Sequence, residues 1–413
     1  MTLPLLHPEK KMKSYDHFGH YGAGGPTHEF GNLSQTVPNI QNIGWSLGNY
    51  CPYGCKHCYS VSARKQGADI TKKMVDRIVD QLAINGVKTV NLGGNEPIFT
   101  NGADVRGSQL PYIIASLKAR EIEVGLTTSG ITLIHLYNQF REAFCLLNDI
   151  DVSLDSPFQT EHDKNRGPAV YKLAVKALEI CKKEKKPFSI VMAAMRWNFT
   201  EKHILELIHS AKHYGSNIRI NVLKPTEQRH MNLILTRDQY FNGFKLLMSL
   251  CESEEVGDPT LAALFNKRKA KRCPCGRTSF RIHSITPEGQ VFVSPCVYMH
   301  DYKSQLDLLH HELKEIIDSD EFKVCRQRHK HPEQIEGCSG CKFLQQCGGG
   351  CAAHSYLHHA IQTGEKSFKK KDPYCPKKYL EKSNTSFPQD FGYTPSQLLV
   401  HMDYLCTWIG TPK

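Results

Sequence analysis

The sequence predicts an α/β protein, an open (partial) (β/α)6 TIM-like barrel followed by a small cysteine-rich domain. Three observations carry this. Between residues 42 and 250, short apolar runs alternate with amphipathic stretches, the signature of parallel βα units. That rhythm stops near Cys273, and the 16 cysteines fall in groups instead of being scattered.

Taken in order, residues 1–41 are rich in Gly, His and Pro without sustained period, and predict an irregular segment. Strands are expected at 43–48, 87–92, 122–127, 149–154, 188–194 and 218–223. Between the first two, Ile70, Met74, Val75, Ile78, Val79 and Leu82 follow the helical period and Gly86 supplies a stop. Val170, Leu173, Ala174, Ala177, Leu178 and Cys181 form a second stripe, and Ile204, Leu207, Ile208 and Ala211 a third. Six such units are too few to close an eightfold barrel, so the sheet is expected to stay open, with the site where the βα loops converge at the carboxyl ends of the strands. Residues 281–293 predict a hairpin turning at Pro287-Glu288-Gly289. The chain therefore divides into an irregular segment (1–41), the partial barrel (42–255), the cysteine-rich domain (256–385) and a C-terminal tail (386–413).

Composition narrows the function. A chain of 413 residues can bury a sizeable core without staples. No apolar run approaches the roughly 18 residues of a membrane span, and residues 1–11 lack the pattern of a secretory signal, so a cytoplasmic location is expected and no membrane partner. In a reducing compartment clustered cysteines point to metal more than to disulfides. The formal charge of +11 favours an acidic partner, but the lysines are scattered pairs plus one run at 366–371, without the interleaved aromatics that bases stack on, which argues against nucleic acid.

Cys51-Pro-Tyr-Gly-Cys55-Lys-His-Cys58 directly follows the first strand. Three cysteines on one loop can hold three irons of a 4Fe-4S cube and leave the fourth open for a substrate or cosubstrate. Zinc is the competing reading, but its sites usually pair two CxxC units or a CxxC with His.

This CxxxCxxC loop after strand one of an open barrel resembles the radical S-adenosylmethionine (radical SAM) family, over about residues 42–223. The resemblance implies that the open iron chelates the methionine amino and carboxylate groups of SAM, and that an electron from the cluster yields a 5′-deoxyadenosyl radical which takes a hydrogen atom from the substrate. Cys51, Cys55 and Cys58 would be the catalytic cluster ligands. Gly93-Gly94-Asn95-Glu96-Pro97 looks like the family's Gly-Gly-Glu-Pro motif with an Asn inserted, placing Gly93, Gly94 and Asn95 against SAM and Glu96 on its amino group. In Asp151-Val-Ser153-Leu-Asp155 and the following Arg166, Ser153 matches a ribose or carboxylate contact and Arg166 a carboxylate contact. Thr128 and Ser129 after the third strand, and Asn198 and Lys224 at the ends of the fifth and sixth, are further candidates by location. The family often has an aromatic residue before the third cysteine, where here His57 or the following Tyr59 would meet adenine.

The second constellation, Cys338-x2-Cys341-x5-Cys347-x3-Cys351 with a later Cys375, is similar to the SPASM domain found after such barrels. That resemblance implies two auxiliary 4Fe-4S clusters, three in all: one on Cys338, Cys341, Cys347 and Cys375, the other on Cys273, Cys275, Cys296 and Cys351. A zinc ribbon on Cys338 and Cys341 is the alternative. Cys145, Cys181 and Cys251 are expected as buried apolar residues in helices, and Cys325 and Cys406 as structural thiols or hydrogen-atom donors.

Enzymes similar in this way mature ribosomally made peptides by crosslinking, epimerisation or backbone excision, with a flavodoxin- or ferredoxin-type reductant. Only 50 residues precede Cys51, without helical period, so a leader-gripping winged helix is not expected and a separate leader-binding partner is. The alternatives are a radical SAM maturase of a folded protein or metabolite, and a non-catalytic iron-sulfur electron carrier, which would need a fourth cysteine near Cys58.

Overall fold

The computed structural model describes residues 40–60, 67–264, 273–382 and 405–413. Nearly all of the segment expected to be irregular, and most of the C-terminal tail, lie outside these residues.

Six parallel strands, β1 (Asn42–Leu47), β2 (Thr89–Gly94), β3 (Glu123–Thr128), β4 (Asp149–Ser153), β5 (Phe188–Ala194) and β6 (Asn217–Val222), lie side by side in chain order. Their bounds fall within two residues of expectation. The largest offset is at β2, where Val87 N–H is still donating to Leu82 O at the exit of the preceding helix, so pairing begins only at Thr89. The helices between them are α1 (Lys72–Ile84), α2 (Leu110–Lys118), α3 (Ile131–Gln139), α4 (Arg141–Leu146), α5 (Gln159–Arg166), α6 (Val170–Lys183), α7 (Glu201–Tyr214) and α8 (Arg237–Leu250). The Thr71 hydroxyl starts α1 by accepting from Met74 N–H, and α1 buries Val75, Ile78, Val79 and Leu82 as its period requires. α7 buries Ile204, Leu207, Ile208 and Ala211 and stops at Gly215, whose φ of 72° suits a residue without Cβ.

The sheet runs further than the six units. With β7 (Cys251–Val256), β8 (Ser279–Ile282), β9 (Val293–Ser294) and β10 (Trp408–Pro412), its order is β7-β10-β6-β5-β4-β3-β2-β1-β8-β9, unclosed. β8 adds parallel to β1, and β9 folds back antiparallel on β8 as the expected hairpin, turning where Gly289 N–H donates to Thr286 O. The cysteine-rich region thus continues the barrel sheet at its β1 edge. At the other end β10, from the stretch expected as a tail, inserts antiparallel between β6 and β7. A chain-remote strand of five residues has too little periodicity to announce itself in sequence.

Two cysteine expectations need correction. Cys145 is exposed, because the six-residue α4 turns only Ala143 and Phe144 inward. Cys251 is buried but opens β7, since α8 ends one residue earlier. Cys181 is buried on α6 as expected.

Trp408 anchors β10: its ring is fully buried and its Nε1–H donates to Ser253 Oγ at 3.0 Å. Trp408→Ala should destabilise the protein by about 3–5 kcal/mol, read as a lower denaturation midpoint. An unchanged midpoint would mean that β10 does not hold the β6 and β7 edges together.

Candidate active site

The carboxyl ends of β1–β6 open into one cavity, with about 1230 Å³ of empty space including the part open to solvent. Cys51, Cys55 and Cys58, on the loop leaving β1, are the only cysteines among the described residues that line it. Burial pushes the Cys55 thiol up to about 12, against the pull of Arg166 and with Cys58, Asp155 and Glu96 adding to the rise. Cys51 is raised too, by burial and then by Glu96. Such thiols ionise when a cation takes the proton's place, which is the condition of a metal ligand.

Gly93, Gly94, Asn95 and Glu96 line the next wall. Gly94 has φ of 92°, and a Cβ there would lie 2.5 Å from Ser46 Oγ, so only glycine fits. Asn95 is turned into the scaffold: its amide donates to Gly48 O at 2.6 Å, and its Oδ1 accepts from Ser60 Oγ at 3.2 Å. Ser60 in turn lies 3.4 Å from Cys58 Sγ, tying the cysteine loop to the glycine loop. Glu96 is buried and accepts from Thr128 Oγ1 (2.8 Å), Ser129 N (2.7 Å) and Thr132 Oγ1 (2.7 Å). Thr128 and Ser129 line the cavity; the Thr128 hydroxyl and the Ser129 N–H donate to Glu96, Thr128 Oγ1 also accepts from Gly130 N at 2.9 Å, and Thr132 at the start of α3 completes the cradle of Glu96. Gly94→Ala should weaken SAM retention at least tenfold in equilibrium dialysis while the helices persist by circular dichroism. Unchanged retention would show that this turn tolerates a Cβ.

On the β4 side the organising group is Asp155. Its carboxylate accepts from Arg166 Nε (2.6 Å) and Nη2 (3.1 Å), Asn165 Nδ2 (2.9 Å) and Ala193 N (3.1 Å), with His57 Nε2 3.5 Å away. Burial would raise its pKa, but Arg166 and then His57 outweigh burial and hold it well below the usual carboxylate range. Asn165 also reaches His57 Nδ1 at 3.0 Å, so His57 lines the cavity with its ring edge engaged. Burial lowers the His57 pKa, against the pull of Asp155, favouring neutral imidazole. Ser153 and Arg166 line the same wall. Asn198 does not belong there. It is fully buried, its amide donates to Asp155 O and Ala193 O, and its Oδ1 accepts from Met195 N, so it shapes the loop after β5 and does not line the cavity.

The cavity is also lined by Tyr59, Lys224, Tyr298 and Leu405. Tyr59 packs edge-on against Tyr298 with ring centres 5.2 Å apart, and the Arg281 guanidinium sits 5.1 Å from its ring. Lys224, buried at the end of β6, sits 4.5 Å from the Tyr298 ring centre and donates to Val222 O. Tyr53, Ser60, Thr132, Asn165 and Tyr298 were not singled out by sequence; only Asn165, beside Arg166, and Tyr53, inside the cysteine loop, had a positional signal.

The C-terminal cysteines form two groups. Cys338 is raised to about 11 by burial, then by Cys375, with Cys341 adding to it, and Cys347 by burial with Asp372, Cys375 and Cys338, so these four thiols are neighbours. Cys273 has Cys275, Cys351 and Cys406 as hydrogen-bonding neighbours, and Cys275 has Cys296. Gly348, Gly349 and Gly350, all at positive φ, turn the chain between Cys347 and Cys351. A Cβ on Gly350 would lie 2.5 Å from Asp372 Cβ, and Asp372 itself accepts from Cys351 N and Tyr374 N at 2.8 Å. The fully buried Arg328 braces this turn through Gly349 O and Ser355 Oγ. Cys325 is buried behind the second group and does not line the cavity.

Residues 45–211 match the Radical SAM superfamily model, so this part of the chain, with the cysteine-lined cavity, is a radical SAM domain. Such a domain binds SAM and a 4Fe-4S cluster. The chain is 25% identical over 324 residues to mycofactocin maturase MftC of Mycobacterium tuberculosis, covering 76% of this chain and 78% of the relative. It is 24% identical over 216 residues to a probable GTP 3′,8-cyclase of Pyrococcus abyssi, covering 52% and 65%. Its fold is similar to anSMEcpe with bound AdoMet and a Cp18Cys peptide (TM-score 0.60, 16% identity, 83% of this chain and 96% of that one). It is also similar to Streptococcus suis SuiB bound to the precursor peptide SuiA (TM-score 0.55, 16% identity, 82% and 76%). Among the described residues no helix is long and apolar enough to cross a membrane.

Proposed function

We infer that the chain is a radical SAM/SPASM maturase that takes a hydrogen atom from a ribosomally made peptide and leaves a post-translational modification. The observation that carries this is the shape of one cavity. Its lining includes both the three-cysteine loop and Tyr298, Lys224 and Leu405, of which Tyr298 follows Cys296 by two residues and Leu405 precedes Cys406. A substrate inside it lies next to both sulfur-rich regions. The resemblance to a mycofactocin maturase, and to folds solved with peptides bound, supports a peptide in that space.

Cys51, Cys55 and Cys58 would hold the SAM-binding cluster, and no fourth cysteine closes that site among the described lining residues. Bound there, the cluster supplies the electron that splits SAM into methionine and the 5′-deoxyadenosyl radical. Gly93 and Gly94 let the backbone come close to the methionine end, while Glu96, an acceptor fixed by three donors, meets the amino group. Ser153 and Arg166 meet the carboxylate or ribose, Arg166 being held in place by Asp155. His57 and Tyr59 bound the adenine side, and Thr128, Ser129 and Asn95 act by positioning their neighbours. Cys338, Cys341, Cys347 and Cys375 would hold one auxiliary cluster, and Cys273, Cys275, Cys296 and Cys351 the other. An auxiliary cluster can accept the second electron when a substrate radical is oxidised. A flavodoxin- or ferredoxin-type protein would deliver the first electron, and a separate protein would present the peptide leader.

The test is co-expression of the chain, without oxygen and in deuterated water, with a short precursor-like peptide encoded beside its gene. A change in peptide mass or deuterium content that vanishes with Cys58→Ala is expected. SAM cleavage with an unaltered peptide would overturn the peptide reading and turn the search to folded proteins or metabolites.

A further inference from the structure

We propose that Cys406, brought in by the C-terminal strand, is a thiolate ligand of the auxiliary cluster held by Cys273 and Cys351. The ligand atoms of Cys273, Cys351 and Cys406 all lie within 4.8 Å of one another, and all three residues are buried. No other group of this kind occurs among the described residues. The three come from separate parts of the chain: the segment before β8, the start of the helix Ala352–Thr363, and the approach to β10. Thiols so placed, with no solvent to share, fit a common metal better than apolar packing.

The position of Cys406 is fixed independently of any metal. Thr407 Oγ1 donates to Ile220 O at 2.9 Å, Thr407 O accepts from Gly257 N–H at 2.8 Å, and Trp408 is locked between β6 and β7. The sulfur is therefore held from both sides of the strand's entry into the sheet. Lys224 supplies a buried cation beside it, interacting with Cys351 and Cys406, the counter-charge that an anionic thiolate cluster needs. Cys275 neighbours Cys273 and Cys296 neighbours Cys275, so five thiols stand where a 4Fe-4S cluster needs four, and Cys406, grouped with Cys273 and Cys351, takes the iron otherwise assigned to Cys275 or Cys296.

Two consequences follow. Ligation by Cys406 ties assembly of the cluster to docking of β10, so the sheet and the cluster complete each other. It also sets the ligand directly behind Leu405, which lines the cavity, so the cluster borders the substrate space at that point.

The inference rests on the presence of auxiliary clusters, and the test separates the two. In full-length protein carrying Cys51→Ala, Cys55→Ala and Cys58→Ala, any remaining iron belongs to the auxiliary sites. It should amount to about eight irons per chain with a reduced-state EPR signal. Adding Cys406→Ser or Cys406→Ala should either lower the iron to about four or shift the g-values and Mössbauer parameters of one cluster, whereas Cys145→Ser on the exposed α4 should leave both unchanged. The alanine variant is read beside the serine variant in case one fails to fold, judged by circular dichroism. Iron near zero in the parent triple variant would overturn the auxiliary clusters and this ligand together. About eight irons with spectra unchanged by folded Cys406→Ser or Cys406→Ala would leave the clusters standing and remove Cys406 from them.

Discussion

Replacing Cys58 by Ala should reduce 5′-deoxyadenosine formation to background, on the order of a thousandfold or more, while the protein stays folded. Cys58 is a partly exposed loop residue, not part of the apolar core, so its loss costs little packing. Its Sγ is 3.4 Å from Ser60, which connects it to the glycine loop through Asn95, so the thiol stands at the junction of cluster loop and SAM wall. With three cysteines and no spare in the cavity lining, no neighbouring thiol can substitute. Iron should fall by about four per chain, leaving that of the auxiliary sites. Continued cleavage of SAM by the variant would mean that the cluster is held elsewhere.

Much of this was legible in the sequence because two kinds of signal are local. The 3.6-residue stripes of α1 and α7 and the apolar strand runs each decide an element from its own residues, and five of the six strand starts are met within one residue. Cys51, Cys55 and Cys58 are close in the chain, so their convergence needed no tertiary knowledge. What failed depends on distant pairing. Strand β10 is defined only by β6 and β7, which lie about 150–190 residues earlier, and the grouping of Cys406 with Cys273 and Cys351 follows from that pairing. Side-chain direction was equally hidden: Asn198 sits at the right strand end, but the backbone groups around it take up its whole amide. Asp155 was visible in the motif, yet its role as the carboxylate that holds Arg166, Asn165 and His57 appears only in three dimensions.

Removing that carboxylate should have the largest effect on stability of any single change at the site. Asp155 is fully buried, and Asp155→Ala would leave the Arg166 guanidinium, the Asn165 amide and the Ala193 N–H without their acceptor. Breaking a buried pair from one side costs about 3–5 kcal/mol. Asp155→Asn keeps an acceptor but not the charge and should cost less, while SAM affinity falls in both as Arg166 loses its anchor. The pH dependence distinguishes this pair from its surroundings. Because the pKa of Asp155 is depressed on folding, its stabilisation is fully present above the unfolded value near 4 and is lost only as pH falls through the still lower folded value. Buried His162 and His230 are the opposite sensors, both lowered to about 4, chiefly by burial. Between pH 6.5 and 4 the unfolded chain binds protons at these two histidines that the folded chain refuses, so acidification over that window should cost up to about 3 kcal/mol for each. Denaturation midpoints of wild type and Asp155→Asn should therefore both fall from pH 7 to pH 5, with the gap between them constant. A gap that widens on acidification within that range would place the folded pKa of Asp155 above its unfolded value and dismiss Arg166 as its partner.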